Sequence, residues 1–346
     1  MGETANIAAM AERISGQLFN VFGWRSVGPV NFNFQENESP EKQRRSKHPC
    51  DVIFEYLDPF CSSPIYLLTD LKSYAKSTIE DKSRIKSAIT SLGKSLRAAV
   101  NSDEFQKRLP GDGGKISALF FVYNNDDDYD KDFEGLLSAN MPSPLDIPLT
   151  ASLYIFGPSN IRFLLDVYND LQKVYGESDV SSGRFRFYYP NLVSKVPDKN
   201  EWHTATPEML LSPYIPVIYD KEVRMKQEDG SCLVTQKKQI QLYYRGPGST
   251  YEEFCFILDY LFRYSIIDDC ASVSIRIPGA NGEYLSAFEK AKDEFSQHFY
   301  TQDQVFKKLS VIECKSIMTQ SQKFSEIELG MEKRKEFKDA AAEKLS

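Results

Sequence analysis

Apolar side chains at three- and four-residue spacing open the chain: Ile7, Met10, Ala11, Ile14, Leu18 and Val21 share one face of an amphipathic helix predicted over residues 5–21 and ended near Gly23. The pattern then changes to strands. In Cys50–Tyr56 the alternation sets Asp51, Ile53 and Glu55 on one face and Val52, Phe54 and Tyr56 on the other, toward a core. Ile65–Thr69 is a short apolar run that leads into Asp70, Leu71 and Lys72. Between the two lies Asp58–Pro64, whose prolines and serines make a turn that lets the strands pair. Ile85, Ile89, Leu92, Leu96 and Ala99 then predict a helix over 78–100, Lys115–Tyr123 a fully buried strand, Leu149–Phe156 a further strand and Ser159–Tyr175 a helix. A sheet covered by helices follows, over a first domain of residues 1–178.

Gly176–Gly183, with its serines, reads as a linker to a second domain over 184–320. There Phe185–Tyr189, Val217–Met225 and Gln239–Tyr244 are predicted strands, the last two joined as a hairpin near Gly230. Thr250–Tyr264 is a predicted helix with Phe254, Ile257, Leu258, Leu261 and Phe262 on its apolar face. Ala271–Ile277 is a strand and Tyr284–Phe299 a helix. This α+β domain carries no constellation assignable to catalysis. Residues 321–346, rich in Glu, Lys and Ala, read as a charged helical or disordered tail.

Chemistry concentrates at the first predicted hairpin. Asp70 and Lys72 point to the same side of their strand, and pairing brings Asp51 beside them. Two close carboxylates raise each other's pKa unless a cation lies between them. Mg²⁺ suits such a sparse site, because it takes one or two carboxylates, keeps waters and binds phosphate oxygens. An ammonium cannot ligate it, so Lys72 would hold the attacking water and offset charge on phosphorus.

An acid on one strand and acid-x-Lys on the next, between helices, resembles the pattern of the PD-(D/E)xK nuclease superfamily at Asp51, Asp70 and Lys72. Pro49 stands two places before the acid, where the family often has it directly before, and Glu12 matches the glutamate often carried on the preceding helix. The resemblance spans residues 5–125. It implies an α/β fold, a restriction-endonuclease-like mixed sheet flanked by helices, here with a second α+β domain for substrate or partner recognition. It also implies hydrolysis of phosphodiester bonds, most often in DNA, in restriction, repair or defence against foreign DNA. Asp51, Asp70, Lys72 and Glu12 would be catalytic, with Asp51 and Asp70 holding Mg²⁺ or Mn²⁺. Such enzymes often work as dimers or beside a second subunit. The alternative is a non-catalytic nuclease-fold subunit that binds nucleic acid or a protein partner. Glu313-Cys314-Lys315 spells the acid-x-Lys pattern more literally, but a predicted helix precedes it and no acid-bearing strand lies close upstream.

Composition narrows the rest. A net charge of −7 excludes indiscriminate binding of polyanions, so any nucleic-acid contact must be local. From Lys72 to Arg97 there are seven basic residues against two acidic ones; Lys82, Lys86, Lys94 and Arg97 gather on one helix face and Lys76 precedes them. Arg44 and Arg45 lie in a polar loop, 36–48, beside the first site strand. A hydrophobic share of 41% supplies a core for each domain and excludes a disordered chain. The six cysteines form no CxxC pair and read as reduced, buried thiols; His48, His203 and His298 lack zinc-ligand spacing. The acidic run Asn124–Asp130 lacks the ligand spacing of a calcium loop and reads as solvated. Arg245–Thr250 resembles a phosphate loop, but Pro247 removes an amide and no lysine follows, so Ser249 or Thr250 is expected to cap the next helix. With no leader peptide and no long apolar run, a cytoplasmic protein is expected.

Overall fold

A computed structural model describes residues 15–37, 46–111, 113–142, 145–177, 180, 185–226, 232–268, 270–280, 282–299 and 303–314. Helix α1 ends over residues 15–21, where Leu18, Phe19 and Phe22 are fully buried. Gly23 stops it at φ +84°, and a Cβ there would lie 2.2 Å from the His203 carbonyl oxygen, so this turn admits only glycine. Strands β1 (Arg25–Val27), β2 (Phe32–Gln35), β3 (Lys47–Cys50), β4 (Val52–Tyr56) and β5 (Ile65–Tyr74) follow. After them come α2 (Lys76–Ile79), α3 (Lys82–Val100), α4 (Asp103–Gln106), β6 (Lys115–Asn124), α5 (Phe133–Asn140) and β7 (Leu153–Phe156). The main sheet has the order β1-β4-β5-β6-β7, antiparallel across β1, β4 and β5 and parallel from β5 to β7.

Several sequence expectations change. β4 is buried on both faces: Ile53 packs under α3, and Glu55 is held by two hydrogen bonds from Arg25, 2.8 and 2.9 Å, away from Asp51. The helix expected over 78–100 is two helices, because Asp81 accepts from the Ser83 and Arg84 amides and starts a new one. The expected 36–48 loop ends in strand, since β3 pairs with β2, and His48 is buried between Ser46 and Ser95. β7 is shorter than 149–156, with Leu149 fully exposed before it. Cys61 is exposed, unlike the buried Cys50, Cys270 and Cys314.

Helix α6 (Pro158–Tyr175) leads into the second half: β8 (Arg186–Phe187), α7 (Pro207–Leu211), β9 (Tyr214–Lys226), β10 (Cys232–Tyr244), α8 (Tyr251–Arg263), β11 (Ser272–Pro278), α9 (Tyr284–Phe299), α10 (Asp303–Phe306) and β12 (Leu309–Cys314). The sheet order is β8-β9-β10-β11-β12, antiparallel across β8, β9 and β10 and parallel from β10 to β12. Both sheets therefore have the same order and directions. In each, a helix precedes the edge strand, a hairpin follows, and a crossover helix leads to the first parallel strand and another to the second. One apolar cluster joins α1, one face of the first sheet, α6 and the second sheet, and a separate one lies between the first sheet and α3. The two halves thus share a core around α6, where the composition suggested one core apiece. The tail, 321–346, lies outside the described residues.

Candidate active site

Asp51 sits at the bend between β3 and β4, where the chain leaves the small β2–β3 ladder for the main sheet. Its amide donates to Thr69 O at 3.2 Å, and its carboxylate accepts from the Leu71 amide at 2.7 Å. The strand next door thereby fixes the side chain over β5. On β5 the α3-facing positions change from Tyr66 and Leu68, both in the core under α3, to Asp70 and Lys72 where the strand runs out toward the helix start. Lys72 donates to the Asp70 carboxylate and closes an ion pair with it.

The electrostatics follow from this crowding. Burial lifts the Asp70 carboxyl above the ordinary carboxylate range, Lys72 opposes that through charge and hydrogen bond, and the neighbouring Asp51 adds to the rise. Burial alone would lower Lys72, yet the Asp70 charge and hydrogen bond, with Asp51 behind them, raise it, so it is an ammonium. Cys50 lies just beneath, its thiol pushed up to about 12 mainly by burial, which makes it inert at neutral pH.

The three residues open into a cleft of about 520 Å³ lined also by Pro49, Thr69, Tyr74, Asp81, Ser83, Arg84, Ser87, Ala88 and Ser91. Arg84, Ser87 and Ser91 form one stripe of α3, at the three- and four-residue spacing of a helix face. That stripe was overlooked in the sequence: Arg84 counted only toward the basic excess, and serines carry no charge to draw notice. Lys82, Lys86, Lys94 and Arg97 are exposed on α3 outside the lining, and Arg97 pairs with Asp146. Lys76 pairs with Asp130 at 2.8 Å, and its amide donates to Asp126. The acidic run is thus a clasp for α2, with Asp127 paired to Arg162. Glu12, Arg44 and Arg45 lie outside the described residues.

Among the described residues, no three His, Cys, Asp or Glu side chains gather to hold a metal. Two neighbouring carboxylates, of which Asp70 is lifted by burial and by Asp51, with an ammonium alongside, nonetheless fit a hard divalent ion that keeps water and takes its other oxygens from substrate phosphate.

Two other sequence motifs are accounted for. Glu313 lies on β12, the edge strand of the second sheet, where its ladder partner is Ile277 and no acid stands alongside; Lys315 is outside the described residues. In the Arg245–Thr250 loop, Thr250 caps α8 as expected. The Glu253 carboxylate accepts from the Gly248, Ser249 and Thr250 amides and from the Tyr244 hydroxyl, so the loop is filled from within. Arg245 stacks 4.7 Å over Phe163 and donates to Leu210 O.

Residues 1–160 match the family model described as the GAPS4 protein PD-(D/E)XK nuclease domain. No curated protein and no solved structure matches the chain.

Proposed function

We propose, from a chain whose residues 1–160 form a nuclease domain of the PD-(D/E)XK superfamily, that it hydrolyses phosphodiester bonds in DNA with Mg²⁺ or Mn²⁺, in defence against foreign DNA. The observation that carries this is the meeting of Asp51, Asp70 and Lys72 in one cleft. Asp51 and Asp70 would hold the ion, whose chemistry there is to supply positive charge at the phosphate and lower the pKa of bound water. Lys72, kept protonated by its carboxylate neighbours, orients the attacking water by donating to it and offsets charge gathering on the phosphoryl oxygens. Arg84, Ser83, Ser87 and Ser91 offer donors along the same wall for the flanking phosphates, which sets the backbone in the cleft without reading base sequence. The exposed face of Lys82, Lys86, Lys94 and Arg97 extends that contact beyond the cleft. Among the described residues no helix is long and apolar enough to cross a membrane, and we place the activity in the cytoplasm, in a homodimer or beside a second subunit.

Plasmid and linear DNA, with RNA as a control, incubated with Mg²⁺ and wild type, Asp70→Ala or Lys72→Ala, test the reading. Cleavage by wild type alone supports it. Equal cleavage by all three would assign the activity elsewhere, and no cleavage by any, even with candidate partners, would favour the non-catalytic binding subunit.

A further inference from the structure

The repeated sheet order places each position of the first hairpin opposite a counterpart in the second. β4 pairs with β5 up to Val52 opposite Thr69, so that Asp51 and Asp70 are the next residues beyond the ladder, and β5 runs parallel to β6 up to Tyr74. β9 pairs with β10 so that Ile218 lies opposite Ile240, and β10 runs parallel to β11 up to Tyr243, one residue before the strand ends at Tyr244. Superposing the strand ends, Tyr74 on Tyr244, puts Ile240 at the place of Asp70, Leu242 at that of Lys72 and Ile218 at that of Asp51.

The faces agree as well. Asp70 and Lys72 point toward the crossover helix α3. Tyr244, on the face shared by Ile240 and Leu242, bonds Glu253 of the crossover helix α8, whereas Tyr243 on the other face bonds Asp170 of α6. The helices match too: α1 and α6 precede the edge strands, and α8 and α9 pack together as α3 and α5 do.

Over the last five rungs of the second hairpin, from Ile218–Ile240 to Tyr214–Tyr244, the positions facing α8 are Tyr214, Pro216 and Ile218 on β9 and Ile240, Leu242 and Tyr244 on β10, none of them acidic or basic. Charge on that face begins only farther from the strand end, at Asp220 and Lys238, and Asp220 is paired with Arg186. Ile218, Ile240 and Leu242 are almost wholly excluded from solvent. The turn before α8, where an incoming phosphate would meet free amides, is occupied by the chain's own Glu253 carboxylate. Glu313 and Cys314 of the literal triplet sit on the fifth strand of this copy, although the chemistry belongs on the third.

We propose that residues 158–314 are a second, silent copy of the nuclease fold, so that one chain holds one hydrolytic centre and severs one strand per engagement. The silence of the copy rests on the topology and side chains above. The single-strand outcome rests on the function proposed for the first centre.

Supercoiled plasmid cut by limiting full-length chain with Mn²⁺ should accumulate open circles before linear DNA, and Asp70→Asn should remove both products. Mn²⁺ binding, followed by the loss of its free-ion paramagnetic resonance signal, should vanish in the Asp51→Asn, Asp70→Asn double variant. Residual cleavage or Mn²⁺ binding in those variants would reveal a second centre and overturn the proposal. Linear product formed in step with the loss of supercoils, without nicked circles, at concentrations where sedimentation shows a single chain, would overturn the one-strand outcome. If wild type neither binds Mn²⁺ nor cuts, the hydrolase reading fails and melting decides the silent copy. Ile240→Ala should lower Tm by roughly 5–15 °C, as for a filled core position, while Asp70→Ala should not lower it. Equal, small shifts at both positions would overturn the copy.

Discussion

The two sheets of this molecule have one architecture and opposite interiors at the same strand end. In the first, the α3-facing side of the hairpin breaks from apolar to charged at Asp70 and Lys72, with Asp51 held across from them. In the second, the α8-facing side is uncharged over the matching stretch, from Ile218 and Ile240 to Tyr244. The fold itself therefore does not require the charged triad, and the first hairpin tolerates it although the part-buried Asp70 carboxyl is raised above its ordinary pKa. Groups retained against their own solvation are candidates for function.

The widest separation between the halves should lie in activity. Asp70→Ala should lower DNA cleavage by at least about 10³-fold and Lys72→Ala by about 10²-fold, whereas Leu242→Ala should lower it only through loss of folded protein. Initial rates normalised to the folded fraction measure this. Substantial residual cleavage in Asp70→Ala would break the division of labour between the sheets.

Stability should reverse that ranking. Leu242→Ala removes a buried side chain from a packed face and should cost about 2–5 kcal/mol in urea unfolding, while Asp70→Ala removes a carboxylate whose ionisation the fold opposes. A loss at Asp70 as large as that at Leu242 would mean that the triad is structural cement rather than a site. Mn²⁺ should narrow the contrast. At about a hundredfold excess over its Kd it should add about 2.7 kcal/mol to wild type, nothing to Asp51→Asn, and the same increment to Leu242→Ala. Smaller again is the effect of the cleft wall: Arg84→Ala should raise KM for DNA about tenfold with little change in kcat, and should flatten the dependence of binding on salt. A fall in kcat instead would move Arg84 from holding the backbone to the chemistry.

The first hairpin was legible in the sequence because its information is local: a turn, two alternating runs and an acid-x-Lys triplet lie within 25 residues, Cys50 to Tyr74. The second hairpin, α8, β11 and α9 were equally legible as elements. What the sequence hid was pairing. That β10 runs parallel to β11 and β11 to β12 is decided by crossovers, which leave no residue signature, and the copy's identity with the first half lies wholly in that order. The side chains that would have announced it are Ile218, Ile240 and Leu242, which look like any core. The break before α3 was hidden for a related reason, since Asp81 reads as one more charged helix residue until its carboxylate is seen to accept two amides. The burial of Glu55 was hidden by its partner, Arg25, 30 residues away.

The finest difference between the halves is in proton binding, and it has opposite signs. Asp70 is raised by burial, so its protonated form is favoured in the metal-free fold; its contribution is full below the ordinary value of 3.8 and is lost as pH rises through the raised folded pKa. Burial would also raise Glu253, but the Tyr244 hydroxyl and the loop amides outweigh it and lower the carboxyl. Its contribution is therefore full above the ordinary value of 4.5 and is lost as pH falls through the lowered folded pKa. Unfolding by urea at a series of pH values should thus show Asp70→Asn gaining on wild type as pH rises, and Glu253→Gln losing least against it at the acid end. Mn²⁺ should cancel the first trend, since the cation competes with the proton at Asp70, and should leave the second untouched. If Mn²⁺ altered the Glu253 trend as well, the turn before α8 would not be closed, and the second copy would have kept part of a site.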